Sequence, residues 1–192
     1  MIVTLQTRRT GGNKSSDTVA RCARDDKPMV YRENKWFYRE HCFVLPESIK
    51  QQLNNFRQTD TGVPESGGLF LGRRIVGATD CISDEITSPM AGDVQKRALF
   101  FRGEGHHLRH IEYWRNTDST GQLLGTWHTH PEIDPTPSDI DYRDWAAIVK
   151  RCGKFNKPLF FMIIGQNVVR LWIGMRRRFR SPLFIQCEFQ ED

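Results

Sequence analysis

The sequence predicts an α/β layered domain with a mixed central sheet and helices on its faces. The chain has 192 residues, a length that suits one domain. Short apolar runs of strand length alternate with amphipathic segments of helical spacing, which is typical of a layered arrangement of sheet and helices. Hydrophobic residues make up 38% and charged residues 27% of the chain, which excludes a disordered or fibrous protein.

The N-terminal segment differs in composition from the rest of the chain. Residues 1–28 are polar and lack hydrophobic periodicity, so we expect a flexible arm followed by one domain over 29–192. No apolar run reaches the ~18–20 residues of a membrane span, and the N-terminus lacks the apolar core of a signal peptide. The five cysteines contain no CxxC motif. We therefore expect a cytoplasmic protein with no disulfide framework and no membrane contact.

The first predicted elements are a hairpin and a helix. Aromatic residues over 29–45 indicate two extended segments that turn at residues 33–34. Pro46 then begins a helix, because proline is well tolerated in the first helical turn. Apolar residues recur at helical spacing from there to Phe56.

The middle of the chain contains several strand-like runs and one helix. The predicted strands are 67–72, 81–87, 97–102 and 123–127. The predicted helix covers 105–116, with His107, Ile111 and Trp114 on one face.

The last third begins with a helix over 138–152, in which Ser138 is the N-cap and Gly153 ends the helix. Its predicted apolar face consists of Trp145, Ile148, Val149 and Cys152. A hairpin of 159–164 with 168–173 follows, and then one extended segment over 183–189.

The densest polar cluster lies between the strand 123–127 and the helix that follows it. His128 and His130 are two residues apart, so at an extended strand end they project to the same side. Asp141 lies one turn into the helix on its inward stripe, where a carboxylate is costly unless a positive group meets it. Two histidines and one aspartate leave a fourth position on a tetrahedral zinc ion for water, which is the layout of a catalytic site.

Other histidines and the basic residues have simpler interpretations. His106, His107 and His110 are more typical of an exposed, half-packed helix face than of a second metal site. The net charge of +5 and the basic run 176–180 allow a nucleic-acid partner, but the run is short and contains Phe179. We therefore expect a solvated basic turn and no nucleic-acid partner.

The polar cluster resembles the signature of the JAMM (JAB/MPN-type) metalloproteases. The HxHP motif at 128–131, six intervening residues and the SxxD motif at 138–141 match it without a gap or substitution. Residues 65–72 occupy the place of the glutamate and Gly-rich strand that the family carries upstream. The resemblance spans roughly residues 44–174.

This resemblance implies a cytidine-deaminase-like JAB/MPN fold in which His128, His130 and Asp141 bind Zn2+. It further implies that Glu65 is the general base, which takes a proton from the attacking water and hands it to the leaving amine. Ser138 would donate a hydrogen bond to the oxyanion. The same hydroxyl can cap the helix, and the sequence leaves both roles open.

Other carboxylates near the histidine pair compete with Glu65 as the candidate general base. Glu132 lies next to the histidine pair, and Asp134 and Asp139 are also nearby. The resemblance favours Glu65, which precedes Gly67 and Gly68. These two glycines would allow an extended substrate to approach the backbone closely, so we expect them to bind substrate.

Proteases of this family cleave amide bonds after the C-terminus of ubiquitin-like proteins. Residues 125–132, the Pro-x-Pro at 135–137 and Trp145 resemble the prokaryotic branch, whose members are encoded beside activating and conjugating enzymes. In CBASS anti-phage operons such a protease removes a cGAS-like nucleotidyltransferase from its conjugates. The implied partners are therefore the C-terminal tail of a ubiquitin-like or cGAS-like protein, its conjugates and those neighbouring enzymes. A protease of a bacterial system with its own modifier and a non-catalytic MPN scaffold remain alternatives.

Overall fold

The structure is a computed structural model that describes residues 33–154 and 157–190. The predicted arm over 1–28 lies outside the described residues. The elements occur in the order β1 (Glu33–Tyr38), β2 (His41–Pro46), α1 (Glu47–Asn54), β3 (Gly67–Arg74), β4 (Cys81–Ile86), β5 (Val94–Lys96), β6 (Leu99–Phe101), α2 (Gly105–Asn116), β7 (Gln122–Thr129), α3 (Asp139–Cys152), β8 (Leu159–Ile164), β9 (Val169–Met175), β10 (Leu183–Gln186) and β11 (Glu188–Gln190).

Nine of the described strands form one mixed sheet in the order β10-β9-β8-β7-β3-β4-β2-β1-β11. The pairs β2–β4 and β7–β8 are parallel, and the other pairs are antiparallel. Only Cys187 separates β10 from β11, although these strands form opposite edges of the sheet. The sheet therefore curves enough for its two outer strands to approach each other at Cys187. The mixed sheet confirms the predicted fold class.

The sheet buries apolar side chains on both faces, and β8 shows this most clearly. Its six residues are all buried, which explains why the run LFFMII is apolar without alternation. Phe160 and Met162 share one core cluster with Ile49 of α1. Phe161 belongs to a second cluster with Trp145 of α3. Helices α1 and α3 therefore cover opposite faces of the sheet.

The same alternation along β7 decides where the polar cluster lies. Trp127 is fully buried in the cluster on the α1 side. Its neighbour His128 must project to the other face. There its ring lies 6.4 Å from the ring of Trp145 of α3, measured between centroids.

The predicted position of the first turn is wrong. The hairpin turns at Arg39 and Glu40, where Arg39 has a positive φ of 52°. Residues 33–34 instead belong to β1 and pair with the end of β2. Pro46 is the last residue of β2 and the N-cap of α1, so the helix begins one residue later than predicted.

Helix α2 has the predicted bounds but a different buried face. Trp114 is 45% exposed, whereas His106 and Tyr113 are buried. His106 is therefore not part of an exposed face. Its Nδ1 lies 2.6 Å from Thr87 Oγ1 and its Nε2 lies 3.0 Å from Asp93 Oδ2, so both ring nitrogens have partners. These hydrogen bonds offset the cost of burying the imidazole.

Three further differences and agreements concern the last third of the chain. The buried stripe of α3 ends at Val149, and Cys152 is exposed. The extended segment over 183–189 is two strands that join different edges of the sheet. The basic run 176–180 is an exposed turn, as predicted.

None of the helices among the described residues combines the length and apolar character needed to cross a membrane.

The close packing of β3 against the strand end at Thr87 leads to a stability prediction. A Cβ atom at Gly68 would overlap the carbonyl oxygen of Thr87, which also accepts a hydrogen bond from Trp127. We expect Gly68→Ala to lower the free energy of unfolding by about 1–3 kcal/mol, the usual cost of overpacking. Gly62→Ala is the matched control because a Cβ there meets nothing within 4 Å. Equal denaturant midpoints for both variants would contradict this account.

Candidate metal centre

Strand β7 sets the direction of the two histidine side chains. His128 pairs with Gly67 of β3 on one side and with Ile163 of β8 on the other. The extended backbone continues past the strand, because the amide of His130 donates to the carbonyl of Ile164 at 3.0 Å. Both imidazoles therefore project to the same face, towards α3.

A capping box fixes the aspartate at the start of α3. Ser138 is the N-cap, and its Oγ accepts a hydrogen bond from the amide of Asp141 at 3.2 Å. The Asp141 carboxylate in turn accepts from the Ser138 amide and hydroxyl, both at 2.6 Å to Oδ2. The carboxylate therefore has one orientation relative to the helix axis.

The loop 131–137 joins these two elements and is itself held in place. The amide of Gln166, in the turn between β8 and β9, donates to the carbonyl of Glu132 at 2.7 Å. Arg170 of β9 forms a bidentate ion pair with Asp134, with distances of 2.8 and 2.6 Å. The loop that separates the histidines from the aspartate is thus attached to the sheet.

The structure brings His128, His130 and Asp141 together at one point. The Nε2 atoms of the two histidines are 3.0 Å apart. Asp141 Oδ1 lies 3.0 Å from Nε2 of His128, and its Oδ2 lies 3.4 Å from Nε2 of His130. Tetrahedral zinc with bonds of about 2.0–2.1 Å places its ligand atoms roughly 3.3 Å apart. The two imidazoles and the carboxylate therefore fit such an ion, and within 33–154 and 157–190 they are the one group of this kind.

Two of the three side chains, His128 and Asp141, favour the charge state that a metal ligand needs. Burial lowers the pKa of His128, which favours the neutral imidazole that a metal needs. Burial alone would raise the pKa of Asp141, but hydrogen bonds from both histidines hold it well below its usual range. For His130, burial lowers the pKa and Asp141 more than reverses this effect, so the pKa is raised. Without a metal, Asp141 thus favours a proton on His130, which must leave when a metal binds.

Glu65 lies beside this group and is only 5% exposed. Its backbone is tied to β5, because its amide donates to the Lys96 carbonyl at 2.8 Å and its carbonyl accepts from Gln95 Nε2 at 3.0 Å. Burial raises the pKa of Glu65 to about 7, an effect that His130 opposes and Asp141 adds to. A carboxyl group with this pKa can both accept and donate a proton near neutral pH.

The rival bases have different surroundings. Glu132 is half exposed and accepts a hydrogen bond from the amide of Thr136 at 3.1 Å. Asp134 is engaged by Arg170, and Asp139 is exposed. Glu65 is thus the one buried carboxyl group among these four, which favours it over the other three.

A cleft of about 160 Å³ opens onto the site, and part of its lining could not be predicted from the sequence. Glu65, Ser138 and the three candidate ligands line it, together with Arg102 and Asp144, which form an ion pair across it. Arg102 follows β6, and Asp144 lies one turn after Asp141. No spacing in the sequence relates Arg102 to α3, so no signal could have predicted this pair.

Gly67 and Gly68 do not belong to the lining of this cleft. A Cβ atom at Gly67 would overlap the ring of Phe100, which does line the cleft. Close packing against Phe100 and Thr87 explains both glycines. Their contact with substrate stays a prediction.

Comparison with known proteins agrees with this geometry. Residues 50–179 match the family described as prokaryotic homologs of the JAB domain. The chain belongs to the prokaryotic JAB family. This match includes the candidate ligands, Glu65, Ser138 and the whole of α3.

Curated relatives of this JAB protein are named CD-NTase/cGAS isopeptidase. One from Pseudomonas aeruginosa is 36% identical and covers 62% of this chain and 77% of its own. Relatives from Escherichia coli and Vibrio cholerae are 30% and 28% identical, cover 69% and 76% of this chain, and are matched over 81% and 88% of their own lengths. A solution structure of a Desulfitobacterium hafniense protein is 20% identical, with a TM-score of 0.50 over 73% of this chain and 88% of that chain, and supports the fold.

The raised pKa of Glu65 predicts how stability depends on pH in the metal-free protein. Between about pH 4.5 and 7 the folded protein keeps a proton on Glu65 that the unfolded chain has released, so stability falls as pH rises through this window. Glu65→Gln removes this loss. We expect the variant to be more stable than the wild type at about pH 8 by roughly 1–3 kcal/mol.

Denaturant unfolding in the presence of a chelator, at a series of pH values, measures this difference. Glu132→Gln is the control, because Glu132 is half exposed and its change should leave the pH dependence as it is. A Glu65→Gln protein that loses stability with rising pH as steeply as the wild type would show that Glu65 ionises normally.

Proposed function

We propose that this chain is a zinc-dependent isopeptidase that hydrolyses the amide bond after the C-terminus of a ubiquitin-like or cGAS-like protein. The observation that carries the proposal is the buried carboxyl group of Glu65 beside two imidazoles and a carboxylate spaced for one divalent ion. The names of the three curated relatives support the substrate class. We assign this activity to a domain over 29–192, in accord with the nine-stranded sheet that joins β1 to β11.

His128, His130 and Asp141 would hold the ion with neutral imidazoles and an ionised carboxylate. When bound, zinc supplies Lewis acidity and lowers the pKa of water to about 7. Glu65 removes a proton from the attacking water and delivers it to the leaving amine, for which a pKa of about 7 is well suited. Burial keeps bulk water from competing for this proton.

Ser138 is proposed to stabilise the oxyanion as well as to cap α3. Its hydroxyl proton is directed to Asp141 Oδ2, and its lone pair accepts from the Asp141 amide. The capping role needs only the lone pair. The proton can therefore turn to a developing negative charge without loss of the cap.

The strand β6 offers a place for an extended substrate tail. The outer strands of the nine-stranded sheet, β10 and β11, contribute no residue to the lining of the cleft. In the two-stranded sheet, β5 faces the backbone of Glu65, whereas β6 has no second strand partner among the described residues and lines the cleft. A tail that pairs with β6 would run past the candidate ligands.

The proposed partners are the conjugates of a cGAS-like nucleotidyltransferase and the activating and conjugating enzymes encoded nearby. A bacterial ubiquitin-like modifier is the other substrate to test. Purified protein is offered each tail fused to a reporter through its C-terminus, and the preferred tail decides between the two. Failure to cleave either tail, in protein shown to contain zinc, would favour a scaffold instead.

The role of Glu65 gives the first prediction for activity. We expect Glu65→Gln to lower kcat for the fused tail by about 10²–10⁴-fold, because the amide cannot accept the proton. Zinc content should stay at the wild-type level, since Glu65 is not a ligand. Glu132→Gln should retain most of the activity. If Glu132→Gln is inactive and Glu65→Gln is active, the base has been assigned to the wrong residue.

The role of Asp141 gives a prediction for zinc binding. Loss of a residue that only supports a metal ligand weakens metal binding by roughly 10–100-fold. We expect Asp141→Asn to weaken zinc binding by more than this, because a neutral amide is a poorer ligand than a carboxylate. Zinc content after dialysis against a graded chelator measures the change. Asp139→Asn removes the same charge two residues away and should retain zinc. Equal retention in both variants would remove Asp141 from the ligand set.

A further inference from the structure

A second cavity, of about 300 Å³, lies at the other end of β3. Glu65 lies two residues before this strand and Arg74 is its last residue, so about 30 Å of extended backbone separates the two sites. The polar side chains that line the cavity belong to His41, Arg74, Thr79, Gln122 and Lys157. Its volume is at the lower end of the range of small-molecule sites.

Arg74 is partly buried in this cavity without an anionic partner. Its guanidinium donates to Cys81 Sγ at 3.0 Å and to the carbonyl of Pro158. Burial raises the pKa of Cys81 to about 11, so this thiol is neutral. Within the described part of the chain no carboxylate forms an ion pair with Arg74. A partly buried charge without a counterion is unfavourable, and an anion would relieve that cost.

The other charges around the cavity strengthen the positive field. Lys157 is a second cation in the lining, which contains no carboxylate. Glu40 Oε1 lies 3.7 Å from Nε2 of His41 at the edge of the cavity, and Asp80 interacts with His41, Lys35 and Cys81. Among the described residues neither carboxylate forms an ion pair with Arg74 or Lys157, so neither cation has a direct counterion there.

We propose that this cavity binds the phosphate group of a small molecule between Arg74 and Lys157, with the amide of Gln122 as a further hydrogen-bond donor. Two fixed cations favour a dianion, and a guanidinium presents the parallel N–H groups that phosphate oxygens accept. The half-buried side chain of Ile75 supplies an apolar contact for an organic group attached to the phosphate. The site is independent of the proposed hydrolysis.

Calorimetric titration of the full chain with inorganic phosphate, and separately with adenosine monophosphate, tests the proposal. Saturable binding of either is expected. Lys157→Glu should weaken it by about tenfold or more, because it replaces an attraction by a repulsion. Lys150→Glu makes the same change in net charge at an exposed position of α3 and should alter the affinity by less than about twofold. Arg74 also bonds to Cys81 and Pro158, so the Lys157 variant carries the test.

Backbone amide shifts in the nuclear magnetic resonance spectrum place the bound phosphate. Changes centred on His41, Arg74 and Gln122 support the proposal. Tighter binding of the monophosphate than of phosphate shows that the organic group also occupies the cavity. No saturable binding of either probe, equal effects of the two lysine variants, or shifts confined to His128 and His130 would overturn the proposal.

Discussion

The candidate metal centre depends on one carboxylate, that of Asp141. It accepts two hydrogen bonds from Ser138 and faces both buried imidazoles at 3.0 and 3.4 Å. Burying two imidazoles and a carboxylate is costly when they are apart, and the cost falls when each serves as a partner for the others. A helix start, a strand end and the loop 131–137 must all be in place for this contact to form.

The antiparallel pairing of β3 and β7 explains why Glu65 lies beside residues far away in sequence. The first residue of β3, Gly67, pairs with His128 near the end of β7. The residue that precedes β3 by two positions therefore lies next to the point where β7 delivers its histidines. Parallel pairing with β8 and antiparallel pairing with β3 hold β7 on both sides, so the sheet acts as a rigid support for the imidazoles.

Much of the fold could be predicted because local chemistry determines it. The spacing of apolar residues predicts the bounds of α2, and the flanking glycines predict the start of β3. The capping sequence predicts Ser138 as the N-cap of α3. The features that were predicted wrongly depend on contacts between residues that are distant in sequence. His106 is buried because both of its ring nitrogens form hydrogen bonds, one with Thr87 and one with Asp93. The segment around Cys187 forms two strands because its two halves pair with different edges of the sheet. The Arg102–Asp144 pair has the same origin, since only folding brings β6 close to α3.

The central claim is that His128, His130 and Asp141 share one zinc ion. An anomalous difference map at the zinc absorption edge, from crystals of the zinc-loaded protein, tests it most directly. We expect one strong peak bounded by the Nε2 atoms of both histidines and the Asp141 carboxylate, with Glu65 beside it. A map without a peak there, or with its main peak at His107 and His110 on α2, would contradict it.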